Sequence, residues 1–126
     1  MTYLCLIYVE EAKVGTMTKA ERDAITGEYF AFTEAIQKSG HFLGGEALEP
    51  VHAATTLRVR NGKLSTTDGP FAETKEQLGG FYLIQARDLN EAIRVAAGIP
   101  LAKLGSIEVR PIKPLTRGDR PVEPRV

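Results

Sequence analysis

The sequence has no tryptophan, one cysteine, two histidines and no excess of either charge, with 16 Lys plus Arg against 16 Asp plus Glu. Each shortage removes a class of protein. Cys5 alone closes no intramolecular disulfide, and no Cys/His cluster has the spacing of metal ligands, so a disulfide scaffold and a zinc module are both excluded. His41 and His52, at two ends of one strand region, do not share a metal by spacing, and no metal or cofactor is expected. No apolar run approaches the roughly 20 residues that span a bilayer. The N-terminal run, Tyr3 to Val9, ends in Glu10 and Glu11 and lacks the basic region and small-residue cleavage site of a secretory leader. A cytoplasmic protein without membrane contact is expected. Zero net charge argues against a general polyanion binder, so no direct nucleic-acid contact is expected either. P-loop, dinucleotide-fingerprint, HExxH, CxxC and G-x-S-x-G patterns are all missing.

What is present is an ordinary globular composition, 43% hydrophobic over 126 residues. A chain of this size buries about two-thirds of its surface, enough for one core without staples. Tyr3 to Val9 is apolar on both faces and reads as a central strand. Thr18 with Glu21 forms a capping box before Ile25, Tyr29, Phe32 and Ile36 at helical spacing, and Gly40 stops that helix. His41 to Leu48 is extended, with Gly44 and Gly45 marking a bulge or a close approach by another group. Thr55 to Arg60 and Leu64 to Thr67 flank Asn61-Gly62, the strongest two-residue hairpin signal. Gly80 to Ala86 is again apolar on both faces and belongs beside the first strand. Asp88 and Glu91 predict a second capping box, opening a helix with Leu89, Ala92, Ile93 and Ala96 as its apolar face. Gly98 and Pro100 close it, and Ile107 to Arg110 is the last strand. The segment from Pro111 to Val126, rich in Pro and Arg, reads as an extended or disordered tail.

The order strand, helix, strand, hairpin, strand, helix, strand predicts an α+β, ferredoxin-like βαββ(β)αβ sandwich. Two helices cover one sheet face, yet two strands are apolar on both. An uncovered second face would be a larger apolar patch than monomers usually expose, so a homodimer packed through the sheets into a dimeric α+β barrel is expected.

The segment DGPFAETKEQLGGFY, residues 68 to 82, concentrates turn residues, carboxylates and a lysine between two strands. Asp68-Gly69-Pro70 is well-made turn chemistry. Anchored by Phe71 beside an interfacial cavity, such a loop holds carboxylates rigidly enough for acid/base work, which makes Asp68 the first candidate base. These residues, with GGE-x-L at Gly44 to Leu48, TT-x-RVR at Thr55 to Arg60 and the closing IEVRPI, resemble the YCII-related proteins of the DGPF-motif type over about residues 1–112. Residues 113–126 stand outside as the tail.

The resemblance implies the ferredoxin-like fold, the sheet-to-sheet dimer and a pocket in each subunit. It also implies an acid/base pair of a helix histidine and an aspartate after the hairpin, in a group that includes a dehydrochlorinase of hydroxylated chloro-aromatics. The aspartate falls on Asp68. The histidine position falls on Tyr29, a departure that removes the imidazole. A hydroxyl with an ordinary pKa near 10 is a poor base at neutral pH, although it can donate or orient. His41 is a candidate replacement, Glu73 and Lys75 are candidates to orient a ligand or stabilise its charge, and Arg58 is a secondary anion-binding candidate. Cys5 reads as a core thiol. Two functions fit. One is a lyase or isomerase moving a proton on a small cyclic or aromatic metabolite. The other is a non-catalytic ligand-binding or regulatory module, partnered with an extracytoplasmic-function sigma factor through the basic tail from Lys113 to Arg125.

Overall fold

The computed structural model describes residues 1–118 and 120–122. Antiparallel pairing joins β1 (Thr2–Val9) to β5 (Gln77–Gln85) on one side and to β6 (Ser106–Pro111) on the other. The edge strand β2 (Phe42–Ala47) completes the order β2-β5-β1-β6. In terms of the four sheet strands this is 4-1-3-2, the ferredoxin-like arrangement. The two strands read as apolar on both faces are the two central ones, because only a central strand has neighbours and covering layers all round.

Alternation sorts the side chains. Tyr3, Cys5, Ile7 and Val9 of β1 point to the helices and are buried, as are Tyr82 and Ile84 of β5. Leu4, Leu6, Phe81 and Leu83 pair on the opposite face, which no helix covers, and are half-buried. Burial lifts the Cys5 thiol to about 11, so it stays protonated and serves as core.

On the inner face lie α2 (Lys19–Lys38) and α3 (Leu89–Ala96). The Thr18 capping box forms in both directions: its hydroxyl accepts from the Glu21 N–H at 3.1 Å, and the Glu21 carboxylate accepts from the Thr18 N–H at 3.1 Å. At the other end Gly40 takes φ +81°. That left-handed residue lets the Gly40 and His41 N–H groups donate back to Gln37 and Ile36, closing a Schellman turn. At α3 the expected box is half made. The Asp88 carboxylate accepts from the Glu91 N–H at 2.9 Å, but the Glu91 carboxylate is taken by Arg87 and His41. Its buried stripe is also narrower than expected: Ala92 and Ala96 are buried, whereas Leu89 and Ile93 are 47% and 49% exposed. Small residues bring the helix close to the sheet, and the larger ones are left on its flanks.

Besides 3₁₀ turns at Val51–Ala53 and Pro100–Lys103, two short elements escaped the sequence reading. One is α1 (Glu11–Gly15), directly after β1. The other is a hairpin of β7 (Leu115–Arg117) and β8 (Arg120–Val122), where an extended or disordered tail was expected. Gly118, at φ +68°, supplies its turn. Asp119 and residues 123–126, including the Arg125 end of the expected tail surface, lie outside the described residues. Among the described residues no helix is long and apolar enough to cross a membrane.

The inserted hairpin, β3 (Thr55–Arg60) and β4 (Lys63–Asp68), turns at Asn61 and Gly62 with φ of 53° and 74°. These are the type I′ angles that Asn-Gly adopts readily. Its two strands pair with each other and join no larger sheet. The register puts Leu57, Val59, Leu64 and Asp68 on one face and Arg58, Arg60 and Lys63 on the other. Leu57 is 62% and Leu64 66% exposed.

Candidate functional site

A cavity of about 530 Å³ lies between the N-terminal half of α2 and the β2–β5 edge of the sheet. Its cause is in the sequence. On the floor, Gly45 pairs with Tyr82 and Ala47 with Gly80, so three of the four facing positions carry one carbon or none. Above them Ile25, Tyr29 and Thr33 recur along one face of α2, and of these four sheet positions only Tyr82 sends a large side chain up to meet them. Of the whole of α2 only Ile36, near its C-terminal end, is buried. The glycines are held by contact. A Cβ at Gly45 would stand 2.8 Å from the Tyr82 ring, and one at Gly80 2.8 Å from the Glu46 carbonyl oxygen. The bulge expected here is also present, the register shifting between Phe42 and Gly44.

Aromatic rings gather at the base. Tyr82 packs edge-on against Phe32 at 5.2 Å and Phe42 at 6.2 Å, and lies parallel to Tyr29 with centroids 6.4 Å apart. The Tyr82 and Thr33 hydroxyls share a hydrogen bond of 2.6 Å. Burial, reinforced by the neighbouring Tyr82, pushes the Tyr29 hydroxyl up to about 12, only partly offset by the Leu101 backbone N–H. Burial raises Tyr82 as well, against the hydrogen bond from Thr33. Both phenols are therefore neutral hydrogen-bonding groups at physiological pH and neither is a base. Val14, Met17 and Phe30 form the rim, where Arg22 holds the Met17 carbonyl oxygen at 2.9 Å.

Of the residues singled out from the sequence, Tyr29 lines this cavity and the others do not. Asp68 ends β4, exposed, opposite Thr55. Phe71 is 81% exposed. Glu73 is exposed, and Lys75 reaches Glu10 at 3.9 Å. Arg58 stands on the outer face of the hairpin; neither it nor Arg60 pairs with Glu73 or Glu76 among the described residues, and Glu76 instead accepts from the Ser106 hydroxyl at 2.7 Å. The DGPF loop and the cavity are thus separate features of the chain. The residues missed by sequence reasoning, Arg22, Thr33, Gly45 and Gly80, are scattered over three elements. Their local signals were two Gly-Gly pairs and one helix face.

His41 joins a different group. Its Nδ1 is 2.7 Å from the Ser39 hydroxyl and its Nε2 3.0 Å from Glu91. Hydroxyl, imidazole and carboxylate in that order resemble a nucleophile, base and acid. Catalysis would also need N–H donors for an oxyanion and a place for substrate. Here the N–H groups of Ser39, Gly40 and His41 are all bonded to α2 carbonyls, and these residues line neither the cavity under α2 nor the smaller one beside α3. The group is a clasp. It ties the end of α2 to the start of α3, and Arg87 with His41 holds the Glu91 carboxyl down to about 2.

With the geometry in place, comparison with known proteins agrees with it. The family model described as the YCII-related domain matches residues 1–116. The chain belongs to the YCII-related family. A relative in Rhizobium meliloti (strain 1021), an uncharacterised protein, is 37% identical over 123 residues, covering 96% of this chain and 99% of its own. The match spans the four-stranded sheet, α2, α3 and the inserted hairpin.

Proposed function

We propose that this YCII-related protein is a small-molecule-binding protein whose ligand enters the cavity under α2, and that it works as a homodimer. The observation that carries the reading is the cavity itself: about 530 Å³, within the range of small-ligand sites, apolar and aromatic with a few convergent polar groups. An amphipathic helix of 20 residues with one buried side chain is underpacked, and a ligand supplies the missing contacts.

Dimerisation is supported by apolar surface. The uncovered sheet face carries Leu4, Leu6, Phe81 and Leu83, and the hairpin adds Leu57, Val59 and Leu64. A two-stranded hairpin is marginal alone and needs a surface to lie on. A second copy related by a two-fold axis offers one to both.

A second reading, acid/base chemistry of the lyase or isomerase kind, is favoured by one feature. Asp68 lies on the apolar face of the hairpin, so whatever covers Leu57 and Leu64 also meets that carboxylate. Proton transfer by Asp68 is therefore a reaction between subunits.

Native mass spectrometry of gently purified wild type and Asp68→Asn tests both readings. A dimer carrying the same small organic mass in both proteins is the result expected for a binding protein. A different bound mass in Asp68→Asn assigns turnover to Asp68. A monomer refutes the dimer, and an empty dimer in both proteins counts against the ligand site.

A further inference from the structure

The walls of the cavity are apolar or carry neutral hydroxyls, with one exception. Arg22, in the first turns of α2, lines the cavity, and its guanidinium is tied to the main chain of Met17, another lining residue. Glu46 also borders the cavity, but the pleat of β2 pairs it with Phe81 on the outer sheet face and turns Gly45 and Ala47 inward, so the cavity meets its main chain. Both phenols within are kept neutral. No internal anion answers the cation.

Lys13, Lys19, Lys38, Lys75, Arg87, Lys103 and Arg110 each have a carboxylate within 4.0 Å. Among the described residues Arg58, Arg60, Lys63 and Arg94 have none, but they stand on the surface away from the cavity, whereas Arg22 lines it. Arg22 has none among the described residues; it has only the Met17 carbonyl oxygen, 2.9 Å from Nη1. That bond anchors the side chain at the rim and uses one of five donors, leaving most of the planar fork unused. The nearest hydroxyl on its own helix, Thr26, is turned back to the Arg22 carbonyl oxygen at 3.1 Å. The result is an apolar, aromatic cavity with a single tethered, uncompensated positive charge at its entrance.

On the reading of this cavity as the ligand site, we propose that it takes a flat cyclic or aromatic monoanion, with the ring against Ile25 and Tyr29 and the carboxylate or sulfonate on Arg22. A guanidinium fork matches a planar carboxylate with two parallel hydrogen bonds, stronger than the neutral bonds available deeper in the cavity. Arg22 then sets which aromatic molecules are held, and the glycine floor sets how large they are.

Two fluorescent probes with one scaffold separate charge from shape: 8-anilinonaphthalene-1-sulfonate and its neutral parent N-phenyl-1-naphthylamine. Both are titrated into wild type, Arg22→Gln, Arg22→Lys and Ala47→Leu, each checked for folding by circular dichroism. The expected result is that Arg22→Gln weakens the sulfonate about tenfold or more and the neutral probe less than about twofold, in line with a charged hydrogen bond. Arg22→Lys should restore part of the sulfonate affinity, since it keeps the charge and loses the fork. Ala47→Leu, which fills the floor, should weaken both probes. Equal losses for the two probes in Arg22→Gln, or none, overturn the anion assignment while the cavity still binds. If Ala47→Leu affects neither probe, the cavity is not their site and both readings fall.

Discussion

The two helices lie on one sheet, yet they use it in opposite ways. Over β6, α3 turns Ala92 and Ala96 downward, and Ile99 just beyond it is 2% exposed. Small side chains on the helix meet large ones on the strands, and the layer closes over Ala92, leaving only a smaller cavity of about 260 Å³ along the flank between Ile93, Ala96, Ile107 and Val109. Over β2 and β5 the sizes are reversed. The sheet offers Gly45, Ala47 and Gly80, the helix offers Ile25 and Tyr29, and the layer stays open. Large residues on a helix do not by themselves make a core. They need a floor that rises to meet them, and here the floor is held low by glycines whose neighbours leave no room for a Cβ.

The largest expected effect separates the halves directly. Ile99→Ala, in the closed half, should lower stability by about 2–5 kcal/mol, the range for a buried isoleucine truncated where the site cannot collapse. Ile25→Ala, on the cavity wall, should cost less than about 1 kcal/mol, because part of its surface already faces an open space. Urea unfolding with an unchanged slope measures both. Equal losses would mean that the α2 half is as tightly packed as the other.

Next comes the cap. The N-terminal half of α2 has few contacts beneath it and depends more on its own ends. Thr18→Ala removes the capping box and should cost about 1 kcal/mol. Amide exchange should speed up first along residues 19–28, with little change in α3. Loss spread evenly over both helices would break the comparison.

Smallest is an acid effect confined to the closed half. Arg87 and His41 hold the Glu91 carboxyl down to about 2, from an ordinary 4.5. A depressed carboxylate binds its proton more readily in the unfolded chain, so its contribution is complete above about 4.5 and fades as pH falls toward about 2. Over that window Glu91→Gln should show a shallower fall in melting temperature than wild type, a modest difference because Arg87 is 78% exposed. Parallel curves would remove the clasp from the stability of α3.

The same contrast explains what could be read in the sequence. Elements whose evidence is local were legible: both central strands, the Thr18 box, the Gly40 stop, and the Asn61-Gly62 turn with its alternating strands. The ferredoxin-like order followed from them. The half-made box at Asp88 misled because Glu91 has partners, Arg87 and His41, that its spacing from Asp88 does not reveal. The DGPF loop drew the eye because its unusual residues are contiguous, and it stands apart from the cavity. The cavity itself is assembled from residues on β2, α2 and β5 that are ordinary one at a time. Gly44-Gly45 announced a bulge or a close approach, but only pairing across the two strands reveals that Gly45 and Gly80 lie under Ile25 and Tyr29.

The central place of β1 has a consequence for how the chain is made. Residues 2–9 leave the ribosome well before their partners, residues 77–85 and 106–111. For most of synthesis β1 waits with both edges open, while α2 and the β3–β4 hairpin have only their local contacts. Folding therefore depends on contacts between the two ends of the body, a topology associated with slower folding and with exposed strand edges along the way. The nascent chain, more than the finished one, is where this protein needs protection from aggregation.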